Sequence, residues 1–210
     1  ARKSPALRWI INVIGFAVVM AGLHSIPFVA MLAIIVATLV RGVAIKRATG
    51  DRTWAFASAR GAQRIAGSSF ALSVAVLLVA AALASSDRAF NWTASAAVAA
   101  LIGAAIVIVA QVQMGRAWRV GVRVGDAPLF VSHGLFQFSR NPIFVGMMLV
   151  GLAAAMLSGT WWSWAALALF IASCAVQVRI EEVHLEASFG EAYHAFRRKV
   201  PRWLGLVRAA

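Results

Sequence analysis

The chain has 210 residues, of which 62% are hydrophobic and only 13% charged. A soluble domain of this length covers its core with roughly 25% charged residues, so the composition excludes a soluble globular fold. The formal net charge of +13 does not point to nucleic acid, because the basic residues lie between apolar runs, as in a multi-spanning membrane protein.

A helix needs about 20 mainly apolar residues to cross the hydrocarbon core. Six runs qualify in chain order: Leu7–Leu23, Phe28–Ile45, Gly67–Ala84, Trp92–Gln111, Ile143–Leu157 and Trp161–Val178. His24-Ser25-Ile26-Pro27 separates the first two and Ser158-Gly159-Thr160 the last two, so both pairs are expected to be tight helical hairpins. The fifth run is short, and is expected to be broken, tilted or extended into its flank. The fold class is therefore all-α: a polytopic membrane helix bundle of about six transmembrane helices, followed by a cytoplasmic C-terminal amphipathic helix. Nineteen of the 20 Lys and Arg residues then fall at one end, with only Arg88 at the other. By the positive-inside rule both termini are expected in the cytoplasm, and the protein in the cell (inner) membrane as a multi-pass chain. The lone Cys174 rules out a disulfide framework or a Cys-based metal site. The basic segment Lys46–Arg64, with Trp54 and Phe56, is expected to lie along anionic lipid.

Outer loops are almost absent, so function is expected within the bundle or at its charged end, where two segments carry the chemistry. In the first, Gly115–Gly146, the residue before a proline avoids the helical region and proline suits a first helical turn. Asn141 is therefore the expected N-cap of a helix opened by Pro142. Such a start presents N–H groups and partial positive charge, and Arg140 adds a full charge beside them, a setting for a carboxylate or phosphate.

The second segment is Arg179-Ile180-Glu181-Glu182-Val183-His184-Leu185-Glu186-Ala187-Ser188-Phe189-Gly190. With Glu191 it holds every glutamate of the chain. Glutamate contributes little to topology, and wet-interface ion pairs contribute little to stability. Ionisable side chains at the end of a span are functional candidates. A hairpin between the last two spans brings the cationic and acidic segments together, which suits a zwitterionic ligand.

In order and combination these residues resemble the integral-membrane methyltransferases that include isoprenylcysteine carboxyl methyltransferases and phospholipid N-methyltransferases. The matching elements are Gly134-Leu135-Phe136 and Arg140-Asn141-Pro142-Ile143-Phe144-Val145-Gly146. After the hairpin come Glu181-Glu182-Val183-His184-Leu185, Phe189-Gly190, Tyr193 and Val200-Pro201, and Gly115–Arg119 looks like bacterial members. The resemblance covers about residues 112–203. It implies a catalytic core over 65–210, preceded by a transmembrane hairpin and inner-surface loop over 1–64. It also implies S-adenosylmethionine as cofactor and a lipophilic acceptor entering from the bilayer, with no metal and no nucleic acid. Family members often carry His at the position of Asn141 and Tyr at that of Phe144, so any imidazole or phenol role there is lost.

The resemblance assigns the cofactor to Gly134, Phe136, Arg140, Asn141, Pro142, Phe144, Gly146, Glu181, Glu182 and Tyr193, with Arg140, Glu181 and Glu182 as the catalytic set. His133, Arg197 and Arg202 are candidate acceptor contacts. The acceptor stays open among a prenylcysteine carboxylate, a phospholipid amine, a thiol and another isoprenoid acid. Two rival classes remain: a nicotinamide-dependent membrane sterol reductase relative and a non-enzymatic, transporter-like bundle.

Overall fold

A computed structural model describes residues 5–50, 61–84, 89–115 and 131–205. Arg2, Lys3, Arg88, the middle of the Lys46–Arg64 segment and the Arg116–Arg119 part of the Gly115–Arg119 element lie outside them. The described residues form six α-helices: α1 (Pro5–Thr49), α2 (Gly61–Ala82), α3 (Phe90–Met114), α4 (Pro142–Ser158), α5 (Trp161–Phe189) and α6 (Glu191–Lys199). A 3-10 turn over Gly134–Gln137 precedes α4. In hydrocarbon every backbone N–H and C=O must be satisfied within the segment, which leaves helix as the available form for isolated apolar runs. The expected helical membrane bundle is what forms. Among the described residues four helices are long and apolar enough to cross a membrane: Gly22–Ala48 within α1, then α2, α3 and α5.

The first expected hairpin is corrected. Helix α1 runs unbroken for 45 residues, with Pro27 inside it. Proline removes one backbone donor, but nothing at 24–27 supplies a reversing turn, and apolar surroundings penalise any further unpaired backbone. The polar side chains at this point are satisfied without a loop: Ser25 Oγ donates to the Gly22 carbonyl at 2.9 Å, and His24 Nε2 meets the Ala84 carbonyl at 2.7 Å. Without a reversal, the start of α1 lies at the opposite end of the helix from the basic residues Lys46 and Arg47.

The second hairpin forms as expected. Gly159 adopts φ 60°, a left-handed helix stop, and its N–H bonds the Ala155 carbonyl at 2.8 Å. Ser163 Oγ donates to the Thr160 carbonyl at 2.7 Å, fixing the start of α5.

Helix α4 has 17 residues, about 25 Å at 1.5 Å per residue, less than the roughly 30 Å of hydrocarbon. It is neither broken nor extended. Instead it is the most enclosed helix: Val145, Gly146, Val150, Gly151, Ala153, Ala154, Ala155 and Leu157 are all buried. Protein, rather than lipid, surrounds it, so the length rule for lipid-facing spans does not apply. Its closest neighbour is α3, and glycines permit the approach. A Cβ on Gly103 would stand 2.5 Å from the Gly146 carbonyl oxygen, and one on Gly146 would stand 2.6 Å from that of Gly103.

Helix α5 has 29 residues, so Glu181 lies about 30 Å along it from Trp161. The glutamates therefore sit where the helix leaves the hydrocarbon layer. Gly190, at φ 50°, ends α5. Helix α6 follows as the expected amphipathic element, with Tyr193 buried and Glu191, Arg197, Arg198 and Lys199 exposed. The chain then returns beneath the start of α4. The Arg140 N–H donates to the Pro201 carbonyl at 3.0 Å, and Asn141 Nδ2 donates to the Arg202 carbonyl at 3.0 Å.

Candidate active site

The corner before α4 is built from local bonds. Gly134, at φ 62°, makes the turn, and the Leu135 N–H donates to Gln113 Oε1 of α3 at 2.8 Å. This clamps Phe136 inward, where it is buried. The Asn141 N–H donates to Ser139 Oγ at 3.0 Å. Asn141 occupies the N-cap position with Pro142 at the first turn, as expected, but its side chain does not cap the helix. That amide holds the C-terminal strand of chain instead.

Glu182 is the electrostatic centre. Its Oε1 lies 2.8 Å from Arg140 Nη1, and Arg202 forks onto both oxygens, Nε to Oε1 at 3.1 Å and Nη2 to Oε2 at 2.6 Å. The bidentate geometry is the stronger form of such a contact. Glu182 raises the Arg202 pKa, chiefly through this hydrogen bond. The Arg140–Glu182 approach is close but not aligned as a hydrogen bond, so Arg140 Nε and Nη1 remain without a hydrogen-bond partner in a buried position. Arg140 does hydrogen-bond the Tyr193 hydroxyl, whose pKa is raised above the usual phenol range, mainly by burial and also by the Glu182 charge.

Glu181 behaves differently from its neighbour. Successive helical residues point about 100° apart, and among the described residues no arginine pairs with Glu181. Its Oε1 accepts from Gln177 Nε2, one turn earlier, at 3.0 Å.

Both carboxylates face a cavity of ≈ 810 Å³. Its polar end is formed by Arg140, Asn141, Gln177, Glu181, Glu182 and Tyr193, and Phe136, Pro142 and Phe144 stand beside them. The other walls are mainly apolar, with Met31, Ile34 and Ile35 of α1, Phe70 and Val74 of α2, and Phe170 of α5, and they also include Thr38, Arg64, Ser68 and Gln111. A pocket of this size, mostly apolar with a few convergent polar groups, is the general form of a small-molecule site. The cavity also has a mouth. Leu39 of α1 and Ala71 and Ala75 of α2 line it while being exposed at the bundle surface. All three are apolar and lie in membrane-length helices, so the opening between α1 and α2 faces lipid.

Other expected site residues lie elsewhere. Gly146 is at the α3–α4 crossing, where it meets Gly103 and Val107. Gly134 shapes the turn against Gln113 rather than the cavity wall. His133 is exposed. Arg197 pairs with Glu186 at 3.2 Å on the surface of α6, and Arg202 is bound to Glu182. At the same surface Glu191 is held below the usual carboxylate range by the hydrogen bond and charge of Arg198. Among the described residues no cluster of His, Cys, Asp or Glu has the makings of a metal site.

Sequence reading missed Gln177 and the pair Gln111–Thr38, in which Gln111 Nε2 donates to Thr38 Oγ1 at 3.0 Å on the cavity wall. The signal was present: a glutamine inside an apolar span needs a partner, and Gln177 stands one turn before Glu181, on the same helix face.

Part of the chain is similar to known proteins. Residues 92–192 match the phospholipid methyltransferase family. The chain is 30% identical over 101 residues to the protein-S-isoprenylcysteine O-methyltransferase of Schizosaccharomyces pombe, an overlap covering 47% of this chain and 43% of that protein. The chain thus spans less than half the length of that relative. No solved structure matches it. The matched stretch contains most of α3, the Arg140 corner, the α4–α5 hairpin and both cavity glutamates.

Proposed function

We propose that the protein is an S-adenosylmethionine-dependent methyltransferase acting on a lipophilic acceptor at the cytoplasmic membrane face, in the manner of isoprenylcysteine carboxyl methyltransferases. The observation that carries this reading is the meeting of Arg140 with Glu181 and Glu182 at the polar end of a large apolar cavity. The donor set fits the cofactor. Arg140 offers a buried guanidinium whose Nε has no hydrogen-bond partner among the described residues, suited to an amino acid carboxylate. Glu181 offers a carboxyl group bonded to Gln177 and paired with no arginine among the described residues, suited to an ammonium or a ribose diol.

When bound, S-adenosylmethionine supplies a methyl group on a sulfonium centre. The chain's own contribution is positioning, worth several kcal/mol when reacting atoms are held in attack geometry. Glu182 holds Arg140 and Arg202 in place, and Arg140 orients the carboxylate. Phe136, Phe144 and Tyr193 wall the adenosine, and the apolar faces of α1 and α2 take the acceptor's hydrocarbon and exclude water. In this reading residues 65–210 are the catalytic core, with α1 supplying one wall of the acceptor chamber. Lys46 and Arg47 at the end of α1 and Arg64 near the start of α2 support a cytoplasmic site by the positive-inside rule.

The test is methyl transfer. Protein purified in detergent, given labelled S-adenosylmethionine and a lipid extract, should label an organic-extractable product, and S-adenosylhomocysteine should raise its unfolding temperature while reduced nicotinamide dinucleotides do not. Protection by the nicotinamide alone would place the chain with the sterol reductases, and protection by neither would leave a non-enzymatic bundle. The mouth makes a separate prediction. Ala75→Trp should reduce turnover of a long-chain acceptor at least tenfold, leaving S-adenosylhomocysteine affinity within about twofold, because the change lies on the lipid side of the cavity. Equal turnover by the variant would move the entry route elsewhere.

A further inference from the structure

Gln177 is a polar residue in the apolar part of α5, 5% exposed and part of the cavity wall. Its amide Nε2 donates to Glu181 Oε1 at 3.0 Å. That leaves Oε1, which is buried and has no hydrogen-bond partner. An unpaired buried acceptor is costly, and native structures hold few of them without a reason. The arginines at this end of the cavity do not supply the missing donor. Arg202 is forked onto Glu182, and Arg140 is turned to Glu182 and Tyr193.

We propose that Gln177 is a ligand-binding residue, its Oε1 and the Glu181 carboxylate together forming a two-acceptor fork for N–H or O–H donors of the methyl donor. This rests on the methyltransferase reading above. The shared chemistry is a polar group carrying more than one hydrogen, which the cofactor has in two places, its ammonium and its ribose diol. A neutral amide is the suitable second acceptor at this point. It adds an oxygen beside Glu181 and Glu182 without a third negative charge, whose repulsion would oppose ionisation of the pair.

The experiment is calorimetric binding of S-adenosylhomocysteine and of 5′-methylthioadenosine, which keeps the ribose but lacks the amino acid end. Gln177→Met preserves length and removes the acceptor; Gln177→Asn withdraws it by one methylene and serves if the first variant does not fold. Loss of a hydrogen bond to a charged group corresponds to about tenfold to a hundredfold weaker S-adenosylhomocysteine binding. If 5′-methylthioadenosine affinity is spared, the fork takes the ammonium; if it falls in parallel, the fork takes the diol. Either result supports the assignment. Because Gln177 also touches Glu181, the variant is repeated in a Glu181→Gln background. An effect that persists there marks direct contact, whereas one that disappears, or unchanged affinity in the first place, overturns the proposal. Wild-type protein that fails to bind S-adenosylhomocysteine removes the methyltransferase reading itself and the fork with it.

Discussion

Glu182→Ala should lower stability by about 3–5 kcal/mol, the usual consequence of stripping a buried charge of its partner, and should abolish cofactor binding. Arg202→Ala should do far less, although both changes break the same bidentate contact. The asymmetry follows from burial. The side chains of Glu182 and Arg140 are 8% and 9% exposed, whereas that of Arg202 is 38% exposed. Losing Glu182 leaves Arg140 enclosed beside Tyr193 with no counter-charge. Losing Arg202 leaves Glu182 still neutralised by Arg140, and removes a partly solvated pair of the kind worth about 0–1 kcal/mol. Glu182→Gln separates fold from function, because it keeps the shape and one acceptor oxygen while losing the charge. Thermal unfolding in detergent and S-adenosylhomocysteine titration across the three variants would check the order: Glu182→Ala worst in both, Glu182→Gln folded but deficient in binding, Arg202→Ala mildest. Equal destabilisation by Glu182→Ala and Arg202→Ala would contradict the hub role of Glu182.

The second large effect is steric. Gly146→Leu or Gly103→Leu should prevent the α3–α4 contact from forming, and even alanine at either position should cost about 1–3 kcal/mol or more. The obstruction is backbone, not a side chain that can rotate away: each added Cβ would stand 2.5 or 2.6 Å from a carbonyl oxygen of the facing helix. Gly151→Ala is the matched control, since its Cβ would meet only the methyl ends of Leu167 and Leu77 at 3.3 Å. It should be much milder in the same unfolding assay. Gly146 lies one turn after Pro142, so forcing α4 outward also displaces Arg140 and Phe144 from the cavity. The alanine variants should therefore lose ligand affinity even where they remain folded. Gly146→Ala as stable as wild type would show that the crossing tolerates separation.

These two residues show what a linear pattern conveys and where it stops. Helices α2 to α5 were legible because long apolar runs in lipid have one backbone solution, and Ser158-Gly159-Thr160 marks a reversal because glycine accepts the left-handed conformation that ends α4. His24-Ser25-Ile26-Pro27 looked equally like a turn, yet carries no such residue, and α1 continues through it. The pairing of Arg140 with the glutamates followed from chain order and a hairpin. The division of labour between Glu181 and Glu182 did not, because it depends on which of two directions about 100° apart faces Arg140 and Arg202. Gly146 was grouped with cofactor contacts by its place in a motif, while its missing side chain is explained by a neighbouring helix far away in sequence. Arg202 was read as an acceptor contact, and in the fold it secures Glu182. The lipid-facing mouth was unreadable, since Leu39, Ala71 and Ala75 are ordinary span residues until α1 and α2 are set side by side.

The central claim is that a charged methyl donor is gripped between Arg140 and the acidic end of α5. Calorimetric titration of S-adenosylhomocysteine into detergent-purified wild type and Arg140→Ala tests it most directly. The account predicts saturable one-site binding to the wild type and a loss of at least a hundredfold in a variant that still unfolds cooperatively. Equal affinity in the two proteins would contradict it.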